Sequence, residues 1–145
     1  MKKLSLLLLL FVSGLSVAWV QKAPGLPLGN WMNEEKEARF EIFSCGDKLC
    51  GKITWLKEPL RNGKPKMDDL NPEPRMRTRP ILGMVFMKDL VYAGGNKWDE
   101  GTIYDPKNGK TYSCYMKMHG KDKMEVKGYI GISLIGRSQN WTRTN

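Results

Sequence analysis

Three cysteines, a single histidine and two acidic pairs are the side chains whose types and spacing suggest chemistry beyond packing. Cys45 and Cys50 bracket four residues, a spacing that suits a short-loop disulfide or half of a zinc site. Zinc needs four ligands, and one His with one further Cys does not make a second pair. Cys114, Met116 and Met118 alternate and are followed by His119, a thiolate and thioether set that suits Cu(I). The same alternation marks one strand face turned inward, where Met is ordinary filler, and His119 has the opposite parity. Asp68-Asp69 and Asp99-Glu100 offer carboxylates for glycoside hydrolysis. Neighbours on a strand point to opposite faces, however, and nothing around them supplies the perturbed environment that acid–base work needs. No GxSxG, GxxxxGK[ST] or GxGxxG occurs. Trp55, Tyr112, Tyr129 and Trp141 have the faces to stack a sugar or base, but such residues more often fill a small core. The sequence thus nominates no catalytic residue, metal ligand or cofactor, and enzymatic activity is not the expectation.

The cysteines make sense once the compartment is considered. Lys2 and Lys3 precede a charge-free run from Leu4 to Val17, with small residues at Ser16 and Ala18. That order reads as a signal peptide over residues 1–18, cleaved before Trp19. A membrane anchor is the rival, but it needs roughly 20 apolar residues. The expected organisation is therefore a signal peptide, a linker over 19–28 and one domain over 29–145. Export, with a periplasm as the expected destination, favours a disulfide. The full chain carries 24 basic and 15 acidic groups, so it is strongly cationic. In an exported protein that charge points to anionic lipid or polymer, and nucleic acid is not an expected partner.

Period-two alternation recurs from residue 31 onward, and helical periods are nearly absent. Segments 38–45 and 50–57 read as a hairpin that sets Phe40 by Trp55, Ile42 by Ile53 and Cys45 by Cys50. Such opposition brings the two sulfurs together. A third strand is expected over 81–88. Pro106-Lys107-Asn108-Gly109 turns the chain so that Ile103 meets Tyr112 and Gly101 meets Cys114. The turn at His119 then sets Met116 by Val126, Met118 by Met124, Lys117 by Glu125 and Tyr112 by Ile130. A last strand over 137–143 leaves its inward face undecided. With a short strand at Trp31 the count is about eight. A small antiparallel up-and-down barrel, all-β, removes the raw edges an open meander would leave; a β-sandwich is the alternative. Residues 58–80, with five prolines and dense charge of both signs, form one long connection that is either a plain linker or a lid.

Gly29-Asn30-Trp31 matches the G-x-W of lipocalins. There the Trp seals one barrel end under an Arg from the last strand, so the resemblance implies that Arg143, or else Arg137, covers Trp31. Gly29-x-Trp31, Leu49-Cys50-Gly51-Lys52-Ile53, Asp69-x-Asn71-Pro72, the run from Trp98 to Pro106, Gly109-Lys110-Thr111-Tyr112, Gly128-Tyr129-Ile130-Gly131, Gly136-Arg137 and Trp141-x-Arg143 occur in that order. Together they resemble a family of small exported bacterial proteins known only as a domain of unknown function. That resemblance implies a lipocalin-like barrel and an envelope location, and it brings no catalytic residues.

The functional expectation is a binding module whose interior or mouth accepts a small apolar or amphipathic ligand. Phe40, Ile42, Ile53, Trp55, Tyr112, Met116, Val126 and Ile130 are its expected lining, with 58–80 as lid. The competing expectation is a filled barrel that meets anionic envelope lipid or polymer through surface residues such as Arg75, Arg77 and Arg79.

Overall fold

Alternating side chains carry the chain through ten strands in a computed structural model that describes residues 27–145. They are β1 (Gly29–Met32), β2 (Ala38–Cys45), β3 (Lys48–Leu56), β4 (Leu60–Arg61), β5 (Lys64–Pro65), β6 (Val85–Gly94), β7 (Lys97–Asp105), β8 (Lys110–Met118), β9 (Lys123–Tyr129) and β10 (Gly136–Thr144). The expected signal peptide and all but the end of the 19–28 linker lie outside the described residues.

Eight of the strands close into an antiparallel barrel in the order β1-β10-β9-β8-β7-β6-β3-β2, while β4 and β5 form a separate ribbon. The fold is all-β, and its ladder joins the first strand to the last through Trp31 and Arg143. Antiparallel pairing places the 33–37, 57–84, 106–109 and 130–135 connections at one end, called here the mouth. Three tight turns and the 27–28 segment lie at the other, sealed end.

The hairpin carrying the disulfide differs from the expected register by two residues. Phe43 pairs with Cys50 and Cys45 with Lys48, so the chain turns on Gly46-Asp47 alone. Gly46 takes a φ of 73°, which a two-residue hairpin turn needs at its first position. The tighter turn extends β3 by two residues and buries Leu49 beside Leu90 of β6. A shift of two keeps every side chain on its face, so Cys45 and Cys50 become diagonal neighbours with Cα atoms 5.8 Å apart, and their disulfide forms.

Trp55 is corrected from interior to exterior. Arg39 pairs with Trp55 whereas Phe40 pairs with Ile53, leaving Thr54 as a bulge that reverses the facing of the residues after it. Leu56 takes the inward place, and Trp55 lies outside under the Arg39 guanidinium, 5.3 Å from its ring centre. Ile130 is corrected as well. The ladder of β9 ends at Tyr129, opposite Ser113, so Ile130 lies beyond it and is 71% exposed. The third long strand begins at Val85, not Ile81, because residues 81–84 turn and bond back to Ile53.

Candidate functional site

The barrel interior is filled by its own side chains. Trp31, Ile42, Met87, Leu90, Cys114, Met116 and Met124 have essentially no exposed surface. Toward the mouth, the Phe40 and Trp141 rings stack 4.3 Å apart, with Phe86 4.9 Å from Phe40. Phe40, Ile42, Ile53, Met116 and Val126 therefore occupy the space they were expected to line around a ligand. Tyr112 is half-buried at the rim, where its hydroxyl accepts a bond from Asn108 Nδ2 at 2.9 Å. The inward face of β10, undecided from sequence, is the one bearing Trp141.

Cys114, Met116 and Met118 share this dry core, while His119 is exposed in the turn with Nε2 3.4 Å from Glu125. Burial, helped by the negative charge of Asp99, pushes the Cys114 thiol up to about 12. A group that titrates there is neither a nucleophile nor a soft ligand at neutral pH. Native protein should therefore give no thiol reaction with a water-soluble disulfide reagent, and one thiol per chain in denaturant without reductant. Three thiols in denaturant would mean that the Cys45–Cys50 bond is absent.

The sealed end rests on Trp31 and Arg143. The guanidinium lies 4.3 Å from the centre of the Trp31 ring. The indole N–H donates to Pro27 O at 2.8 Å, and Arg143 donates to Leu28 O at 2.6 Å and Lys121 O at 2.8 Å. One side chain thus ties the entering segment to the β8–β9 turn, while shielding the indole from water.

On the outer wall near the mouth stands a second constellation that sequence reasoning did not assemble. Asp68 has no exposed surface. Its carboxylate accepts bonds from Asn71 Nδ2 at 2.7 Å, Arg79 Nε at 2.9 Å and the Tyr104 hydroxyl at 2.5 Å. Three of these residues belong to the long connection, and Tyr104 belongs to β7. Residues 66–80 are accordingly strapped to the wall through Tyr104. Gly109 completes the seat: its φ is 71°, and a Cβ there would fall 2.0 Å from Leu70 O. Burial and the Asp68 carboxylate raise the Tyr104 hydroxyl to about 12.

The strap leaves a cleft of about 240 Å³ between itself and β6–β8. Met76, Pro72, Val85 and Phe86 give it apolar walls, and Arg79, Lys88, Thr111 and Glu73 give it polar ones. Arg79 is held by Asp68 and faces the Tyr104 ring at 5.6 Å, so its guanidinium is pre-positioned. Glu73 is engaged by Arg75. The cleft therefore presents Lys88, which has no ion-pair partner among the described residues, and the Asp68-bound Arg79 guanidinium beside apolar surface. A second, larger concavity of about 880 Å³ lies along β1, β9 and β10, beside Met32, Trp141, Glu34, Lys36, His119 and Lys123.

The remaining acidic pair is spent on the sheet surface. Asp99 lies below the usual carboxylate range because, against its partial burial, Lys97, the Glu100 N–H and Tyr129 bind its charged form. Asp68 and Asp99 thus each have their own donors, and no shared pair of acid and base results. The Asp68 cluster leaves one signal in the sequence, namely an Asp with Asn three residues and Arg eleven residues further on, inside a proline-rich segment.

A closed eight-stranded antiparallel barrel, sealed at one end by a tryptophan under a last-strand arginine, defines a lipocalin-like barrel. The chain belongs to the bacterial family described as "Uncharacterized protein conserved in bacteria (DUF2147)", whose pattern matches residues 29–143. Among solved structures it is similar to protein HP1028 from the human pathogen Helicobacter pylori, described as belonging to the lipocalin family. The two are 23% identical with a TM-score of 0.72, over 86% of this chain and 84% of that one, a likeness of fold. No curated protein sequence matches the chain.

Proposed function

We propose that this chain is an exported, periplasmic binding module that holds a small amphipathic anion in the cleft beside its strap, outside a barrel that is itself solid. The observation that carries this reading is the cleft itself, where Arg79 and Lys88 stand over Met76, Val85 and Phe86. An anionic head meets Lys88 and the Asp68-bound Arg79 guanidinium there, and a short alkyl or ring portion meets apolar wall. Pockets for drug-sized molecules begin at roughly 300 Å³, so the cleft suits a head group with a short tail. Export is supported by the pattern of residues 1–18 and by the Cys45–Cys50 disulfide.

Octyl phosphate is the probe that tests this, with octanol and inorganic phosphate as comparisons. Saturable shifts of the Met76 methyl and the Lys88 and Thr111 amides in NMR are expected with octyl phosphate, and weaker ones with either half alone. Lys88 makes no ion pair among the described residues, so Lys88→Gln leaves the fold intact and should weaken binding about fivefold, the worth of one partly exposed charge of about 1 kcal/mol. Shifts confined to Met116, Val126 and Ile42 would instead place the ligand inside the barrel and overturn the reading.

A further inference from the structure

The connection between β9 and β10 reads Ile-Gly-Ile-Ser-Leu-Ile over residues 130–135. It carries no charge, and Ile130, Ile132, Leu134 and Ile135 are 71%, 59%, 86% and 68% exposed. Four large aliphatic side chains in six residues are each mostly in water and sit together at the tip of this connection. The Ile135 N–H donates to Ile132 O at 3.1 Å, which closes the tip into a turn. A soluble surface seldom leaves so much contiguous apolar area uncovered without an interaction to cover it.

We propose that this tip inserts into the interfacial layer of an anionic phospholipid bilayer and attaches the barrel to it by its mouth end. A tip needs only depth in a fluid apolar layer, whereas a protein partner must supply a matching groove. The two concavities described on this chain mix apolar walls with charged rims, Arg79, Lys88 and Glu73 in one case and Glu34, Lys36, His119 and Lys123 in the other, and so suit a charged tip better than this uncharged one. Charge selects the kind of bilayer. Arg137 comes directly after the tip, with its side chain 83% exposed, and Lys107 on the neighbouring mouth turn is 84% exposed. Glu35 and Glu37 approach these two only at 3.8 Å, which leaves both cations free to turn toward lipid phosphates. The long connection at the same end carries seven Lys and Arg against four Asp and Glu, which outweighs Glu34, Glu35 and Glu37 on the 33–37 turn, and the chain as a whole is cationic. The inference concerns a different surface from the octyl phosphate cleft on β6–β8 and stands without it.

Sedimentation with vesicles tests it, using purified protein with phosphatidylcholine alone or mixed with phosphatidylglycerol. The protein should pellet with the mixed vesicles and far less with phosphatidylcholine, and raised salt should weaken the association. Replacing Ile132, Leu134 and Ile135 together by Ser should lower vesicle affinity by about tenfold or more, since binding scales with buried apolar area. These side chains pack on little else, so thermal melting and octyl phosphate binding should match those of the parent. Arg137→Gln with Lys107→Gln should reduce affinity for the mixed vesicles severalfold, and leave the weak phosphatidylcholine binding unchanged. An environment-sensitive fluorophore on Leu134→Cys should shift to the blue on the mixed vesicles, and one on Ser44→Cys at the sealed end should not. Equal pelleting of the triple-Ser protein, or a concentration-dependent dimer that the triple substitution abolishes, would overturn the proposal. Failure here leaves the cleft intact, and failure of octyl phosphate binding leaves the tip intact, so the two are separable.

Discussion

Asp68→Ala should lower stability by about 3 kcal/mol and free the 66–80 strap from the barrel wall, because the carboxylate is buried and answers three donors at once. Its removal strands the buried Asn71 amide, at about 1–3 kcal/mol, and takes its partner from the half-buried Tyr104 hydroxyl. Arg79, partly exposed, recovers water and adds less. Urea unfolding measures the loss, and trypsin reads the strap, since Arg75 and Arg77 become cleavable once the segment swings away. Asp69→Ala is the comparison. Asp69 pairs with Arg61 on the surface, both side chains more than half exposed, and the change should stay within about 0.5 kcal/mol. The same contact sets an alkaline limit. Tyr104 titrates near 10.0 when unfolded and at about 12 when folded, so the native state holds this proton more tightly. That contribution is complete below pH 10 and disappears as pH rises from 10 toward 12. In Asp68→Ala the tyrosine should titrate closer to its unfolded value and the alkaline slope should flatten. Unchanged unfolding and trypsin resistance would show that the strap is held by something else.

Trp31→Ala is expected to be the most damaging single change at the sealed end, at about 3–5 kcal/mol, since a fully buried indole leaves a large cavity. Arg143→Ala should remove about 2 kcal/mol: it loses two carbonyl bonds, the stacking contact and the cover over Trp31. A double-mutant cycle should return a coupling of about 1 kcal/mol or more, because the two side chains touch. Arg143→Lys should not rescue it, since an ammonium cannot lie flat on the ring while reaching both carbonyls. The useful comparison is Arg39→Ala. Arg39 also covers a tryptophan, but Trp55 is 37% exposed and the pair stands on the outer wall, so its loss should be well under about 1 kcal/mol. Equal losses at Arg39 and Arg143 would mean that closure of the barrel end does not depend on Arg143.

The ladders around β8 follow the register that alternation and turn residues impose. Ile103 meets Tyr112, Gly101 meets Cys114, and Met116 meets Val126. The Cys45–Cys50 hairpin misses by two residues because Gly46 permits a turn shorter than the cysteine spacing suggests, and burial of Leu49 favours it. Trp55 shows the limit of alternation as a guide. A bulge at Thr54 resets parity, and its position is decided by how β3 fits between β2 and β6. At Ile130 an apolar residue continues the strand's pattern beyond the last partner it has.

What the sequence determines unaided is local: an all-β chain, the faces of its hairpins, one disulfide pair, and a Trp and an Arg at opposite ends of the domain. Tertiary structure alone decides that the barrel is solid, since filling depends on the summed volumes of side chains from all eight strands. It also decides that Asp68 reaches Tyr104 across 36 residues. Likewise, whether Ile132 and Leu134 point into a core or into water depends on whether a neighbouring strand stands opposite them, and there is none.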